Sequence, residues 1–128
     1  MSYTVIEAPR ANQKPVAQPT MGGSVYVKPQ DIAWEPTQFE GISIKVLYED
    51  TPKGEMTCLL KWQPGATLPM HKHPEIEQTF VIEGSFYDHD GVCREVSLRQ
   101  RVRAPAREGY NQLPPIGTPT IAFVQRFL

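Results

Sequence analysis

Cysteine is scarce in this 128-residue chain, with two in total, Cys58 and Cys93. They are far apart and lack the C-x-x-C spacing of a zinc ribbon or a redox pair, so both read as buried thiols. Histidine numbers three residues. No excess charge of either sign exists: 13 lysines and arginines balance 14 acids for a net charge of −1. A polyanion-binding surface, and with it a nucleic-acid partner, is therefore not expected. No apolar run approaches the ~18 residues of a membrane span, and no charged flank precedes an apolar core at the N-terminus. The expected protein has no membrane partner and a cytoplasmic address. Helical periodicity is also missing, so no helix of any length is expected.

Turn residues are plentiful, with 13 prolines and 9 glycines. Short alternating segments lie between them, the pattern of an all-β sandwich or barrel of about nine or ten strands. A chain of this length makes one domain that can bury a core without disulfides. Residues 1–22 carry Pro9, Pro15 and Pro19 among polar residues and form a partly extended N-terminal arm, with the β-barrel domain spanning 23–128. Ser24–Lys28 is expected as a short strand and Asp31–Glu40 as a loop that packs an aromatic or two on the barrel. Ile42–Tyr48 should be a strand with Ile42, Ile44, Val46 and Tyr48 on one side. Asp50-Thr51-Pro52-Lys53-Gly54 has the chemistry of a hairpin loop, and Glu55–Gln63 returns with Met56, Cys58, Leu60 and Trp62 on one face. Asp88-His89-Asp90-Gly91 reads as a hairpin tip, which makes His89 an exposed turn residue. Ile121, Phe123 and Phe127 alternate in a closing strand. Arg99, Arg101 and Arg103 share one face of their strand, read as a solvated exterior.

The chemistry concentrates in Gly65–Gly84, which reads G-A-T-L-P-M-H-K-H-P-E-I-E-Q-T-F-V-I-E-G. His71 and His73 are two apart, and on a strand that spacing puts both imidazoles on one face, where they can share one ion. Pro74 favours a chain reversal, after which Glu77 opens the next strand and offers an oxygen beside them. Glu77, Thr79 and Val81 then face the metal, with Met56, Cys58 and Leu60 as further walls, while Gln78, Phe80 and Ile82 point the other way. A single strand histidine is more often a surface residue than a ligand. Two of three histidines on one strand face, followed by a carboxylate, is a different situation.

The spacing G-x5-H-x-H-x3-E-x6-G, met at Gly65, His71, His73, Glu77 and Gly84, resembles the first signature motif of the cupin superfamily. The flanks Trp34-Glu35-Pro36, Lys45-Val46-Leu47-Tyr48 and Leu59-Leu60-Lys61-Trp62-Gln63-Pro64-Gly65-Ala66 resemble the group that includes the cupin-like domain of zinc-binding anti-sigma factors and the diketone-cleaving dioxygenases. The resemblance covers about Asp31 to Leu128. It implies a single-domain antiparallel β-barrel of jelly-roll type with a metal inside.

The second cupin motif resembles G-x5-P-x-G-x2-H-x3-N, and its histidine is missing here. Counted from Pro105, Arg107 stands at the glycine and Tyr110 at the histidine. Three arrangements follow. In the preferred one, His71, His73 and Glu77 hold a divalent transition metal alone, with open positions, the set used by non-haem Fe(II) oxygenases. In the second, Tyr110 closes the site or donates a hydrogen bond to bound substrate, a catalytic role. In the third, the metal site has decayed and the cavity binds a ligand without one. Fe(II) is the favoured metal, with Zn(II) and Ni(II) as alternatives. The resemblance thus implies a dioxygenase-like enzyme acting on a small oxygenated compound. The alternative is a non-catalytic metal- or ligand-sensing domain, against which the residues ahead of the barrel are too few and too proline-rich for a helical sigma-binding unit. Edge strands and the proline-broken arm point to a homodimer.

Overall fold

The computed structural model describes residues 23–68, 77–88, 90–101 and 119–126. All of its extended strands are antiparallel, and its helical content among the described residues is one 3-10 turn, Pro29–Asp31. Eight strands follow in order: β1 Glu35–Pro36, β2 Ile42–Asp50, β3 Glu55–Trp62, β4 Glu77–Glu83, β5 Phe86–Asp88, β6 Gly91–Cys93, β7 Leu98–Arg101 and β8 Thr120–Arg126. A six-stranded sheet runs β1-β2-β3-β8-β4-β7, and β5 and β6 form a separate hairpin. The last strand thus sits in the middle of the wall, between β3 and β4, so the fold closes on non-local pairings.

The alternation in β2 and β3 explains this wall. Ile42, Ile44 and Val46 are buried, as are Met56, Cys58, Leu60 and Trp62, while the residues between them are half-exposed. Each aliphatic side chain so buried contributes roughly 1.5–3 kcal/mol. The hairpin between them matches its turn chemistry: the Gly54 N–H donates to the Thr51 carbonyl at 3.0 Å and the Lys53 N–H to Asp50 Oδ1 at 3.2 Å.

Tyr48 does not continue the buried row. The β2–β3 register shifts between Val46 and Tyr48, so Tyr48 pairs with outward Thr57 and Glu49 with inward Met56. A β-bulge at Leu47 inverts the parity, because one extra residue swaps the face of everything after it. Ser24–Lys28 forms no strand; Val25, Tyr26 and Val27 are exposed. The chain instead crosses the outer face of the sheet. There Trp34 lies between Lys45 Nζ and Lys61 Nζ at 4.8 and 4.6 Å from its ring centre, and Lys45 Nζ donates to the Pro29 carbonyl at 2.8 Å. Those cation–π contacts need the lysines that alternation places outside, and they secure the strap. Phe39 packs from the same loop against the core.

In β8 the small residues face inward. Thr120, Ala122 and Val124 are buried, while Ile121 and Phe123 lie on the outer side. Ala122 pairs with Leu60 on one side and Val81 on the other, so a larger side chain there would overfill the row. Thr120 Oγ1 donates to the Ser85 carbonyl at 2.7 Å and accepts from the Ser85 N–H at 3.3 Å, which fastens the bend after β4. Gly84 makes that bend at φ +80°, and a Cβ there would stand 2.7 Å from Thr120 Oγ1 and 2.9 Å from the Pro119 carbonyl. Only glycine meets both conditions. Gly65, at φ +82°, turns the chain at the other end of the stretch.

Candidate metal centre

Strand β4 carries its inner face on Glu77, Thr79 and Val81. Thr79 and Val81 are 2% and 0% exposed, and Phe80 and Ile82 point outward at 37% and 43%. The expected parity of this strand holds. Met56, Cys58 and Leu60 are buried on the same inner face, and both cysteines are buried thiols outside any disulfide. Cys58 and Thr79 both pair with Val124, so they lie on one inner row across β3, β8 and β4.

Glu77 stands at the beginning of β4, at the end of this interior. Its register neighbours are Arg126 of β8 and Arg101 of β7, and Arg126 in turn pairs with Met56. Glu77 Oε1 is 3.5 Å from an Arg99 Nη, with 19% of the Glu77 side chain and 14% of the Arg99 side chain exposed. Arg99 is therefore not on a solvated exterior. It pairs with buried Thr79, and its guanidinium carbon lies 4.5 Å from the Phe86 ring centre. Phe86, 1% exposed, stacks on Trp62 at 5.9 Å and 24°. The exterior of β7 is taken instead by Leu98, 56% exposed and in register with Phe80. An arginine inside and a leucine outside invert the usual pattern, and only the pairing of β7 with β4 decides the face.

A cleft of about 190 Å³ opens between the β5–β6 hairpin and β7, lined by Phe86, Asp90, Gly91, Val92, Cys93, Ser97, Leu98 and Arg99. Cys93 Sγ sits 3.5 Å from the Ser97 carbonyl on its wall. The hairpin tip is where the turn chemistry puts it, since Asp88 pairs with Gly91. His89, His71, His73 and Tyr110 lie outside the described residues. Among the described residues no three His, Cys, Asp or Glu side chains converge to hold a metal ion. Of the expected ligands, Glu77 is the one that can be placed, and its carboxylate on the inner strand face suits a set of two imidazoles and one oxygen.

Residues 23–106 match the family described as the ChrR Cupin-like domain, about two thirds of the chain. The chain belongs to that cupin family. Solved structures agree on the fold of this cupin domain. A chain of the Rhodobacter sphaeroides complex of SigE with the anti-sigma ChrR superposes with a TM-score of 0.65 at 19% identity, over 77% of this chain and 51% of that one. The cupin domain described here thus spans about half the length of that relative. An acetylacetone dioxygenase from Acinetobacter johnsonii gives 0.66 at 14% identity, over 91% of this chain and 78% of its own. The polyketide cyclase RemF from Streptomyces resistomycificus gives 0.66 at 17%, over 80% and 78%. Among curated proteins no sequence matches. Among the described residues of this cupin domain no helix is long and apolar enough to cross a membrane.

Arg99 is the inner-face residue that alternation alone did not assign correctly. A usable signal was present in Leu98 and Gln100, which flank it: a strand with one leucine among polar residues has no apolar face to fix its orientation.

Proposed function

We propose that this cupin is a metal-dependent, dioxygenase-like enzyme acting on a small oxygenated organic compound, with His71, His73 and Glu77 as its metal ligands. The observation that carries the reading is the inward Glu77 at the head of β4, four residues after the second histidine of the H-x-H pair. A bound divalent ion, Fe(II) by preference and Zn(II) or Ni(II) as alternatives, supplies Lewis acidity toward a chelating substrate and, as iron, electrons for O₂. Glu77 gives the set its negative charge. Thr79, Val81 and Leu60 keep water from the ion's surroundings, and a dry, apolar wall strengthens every charge interaction within it. Tyr110, at the position of the second motif's histidine, is assigned to the substrate side, where its phenol donates a hydrogen bond to a bound oxygen.

The test is oxygen uptake. Protein loaded anaerobically with Fe(II) should consume O₂ when given 2,4-pentanedione or a related enolisable dicarbonyl, and His73→Ala should not. Stoichiometric iron without uptake for any of a panel of dicarbonyls rejects the enzymatic reading.

A second reading is favoured by the family match itself, whose name is that of an anti-sigma factor. In it the same ligands hold zinc tightly, and the domain reports metal or ligand occupancy to a protein partner without turnover. Zinc retained through purification, with no O₂ chemistry on exchange for iron, would select it.

We also propose a homodimer. Among the described residues strand β7 is the last in the sheet, and Phe80, Ile82 and Leu98 expose an apolar strip on the outer face beside it. A second copy covering that strip satisfies both features.

A further inference from the structure

Three features stand out once the proposed ligands are set aside: the apolar strip of β4 and β7, the buried Cys93 thiol, and the inward arginine of β7. The strip belongs to the proposed dimer, and the thiol is packed into the small cluster of Val81, Phe86 and Cys93. Arg99 is placed by several contacts. It faces the interior of the sheet next to Thr79, its guanidinium lies over the Phe86 ring, and it lines the cleft between the β5–β6 hairpin and β7.

We propose that Arg99 is an anion-binding residue, and that the small molecule taken by this cavity carries a carboxylate which Arg99 grips. The guanidinium is planar, permanently charged and shaped to meet a carboxylate through two parallel N–H bonds. Packing on Phe86 holds that plane in place, and Phe86 is itself held by its stack on Trp62. The fork is thus presented by a rigid platform. The contact with Glu77, at 3.5 Å, orients the guanidinium along the inner face, and its five N–H donors outnumber the oxygens of that one carboxylate. The cleft's 190 Å³ equals the volume of roughly six water molecules, enough for a compact planar acid. Asp90 is the acid among the lining residues, and it is exposed at the hairpin tip, at the rim. Its position disfavours dianions and leaves a monocarboxylate as the matching charge.

That this anion is the substrate rests on the metal reading. With Glu77 committed to a divalent ion, the interior carries excess positive charge, and an acid with a second oxygen for the metal would neutralise it. The anion site itself rests on the placement of Arg99 and needs no metal.

The experiment uses the full chain in chelator, with Trp34→Phe so that fluorescence reports on Trp62, the other of the two tryptophans. Benzoate and its neutral isostere benzamide are titrated, with calorimetry as a second readout. Benzoate should bind at least about tenfold more tightly than benzamide, the scale of a charge-assisted pair. Arg99→Gln should erase the difference and Arg99→Lys should keep part of it. Glu77→Gln should strengthen benzoate binding severalfold, because it removes the competing carboxylate. A merely structural arginine would not produce that opposite sign. Equal affinity for benzoate and benzamide in the wild type overturns the proposal without recourse to any variant. So does a folded Arg99→Gln protein that binds benzoate unchanged. His71→Ala with His73→Ala separates the two readings: benzoate selectivity surviving in this variant supports the anion site by itself, whereas a wild-type protein that takes up its metal ion and shows no benzoate selectivity rejects the anion site and spares the metal centre.

Discussion

The pairing of Glu77 with Arg99 can be weighed by a double-mutant cycle of Glu77→Gln, Arg99→Met and the double variant in chelator. At 3.5 Å the Coulomb attraction is about 5 kcal/mol for an effective dielectric of ~20. Desolvation of both ions offsets much of this, and the 19% and 14% of side chain left in water screen part of what is left. A net coupling of about 1–2 kcal/mol remains. Either single variant should cost more than the double, because each strands one charge against Phe86, Thr79 and β7, while the double removes both. Urea unfolding followed by far-ultraviolet dichroism gives the four free energies, provided the slopes agree. Coupling below about 0.3 kcal/mol, within ordinary additivity error, would refute an inward, mutually oriented pair. Repeating the cycle with Zn(II) adds a second test. Metal should raise the wild-type midpoint and should barely move that of Glu77→Gln, since a ligand that binds the native state alone stabilises it in proportion to its affinity.

Gly84→Ala should destabilise the domain by about 2–4 kcal/mol: ~1–2 for a left-handed backbone and the rest for displacing Thr120 from its bonds with Ser85; thermal unfolding with no loss of midpoint would contradict the tight bend. Light scattering should give twice the chain mass at micromolar concentration, and Leu98→Lys should shift it toward the monomer; a wild-type monomer rejects the dimer. Tyr110→Phe should leave metal content nearly unchanged and Tyr110→His should tighten binding, because a hydrogen bond beside a metal matters less than a ligand. Loss of metal in Tyr110→Phe would make the tyrosine a ligand.

Much of the barrel wall can be read from local pattern. Ile42, Ile44 and Val46, the Met56–Trp62 row, and Thr79 with Val81 obey simple alternation because each has one apolar face against one core. The loop at Asp50–Gly54 and the bends at Gly65 and Gly84 follow from turn chemistry that only a few residues supply. What escapes local reading depends on pairing. The bulge at Leu47 has no proline or glycine to announce it, so Tyr48 looked like one more inward residue. Ile121 and Phe123 alternate as convincingly as Ala122 and Val124, and the inner face goes to the smaller set because Leu60, Val81 and Trp62 already fill the row opposite. Arg99 is decided by its register with Thr79. For the proposed metal centre, the H-x-H spacing is legible in the sequence, and the inner-face position of Glu77 comes from its strand register.

Elemental analysis of purified protein bears most directly on the proposed metal centre. About one transition-metal ion per chain is expected, abolished by His71→Ala with His73→Ala and sharply reduced by Glu77→Gln, with dichroism confirming that the variants remain folded. A wild-type protein that is metal-free as isolated and takes up neither Fe(II), Zn(II) nor Ni(II) on titration would contradict it.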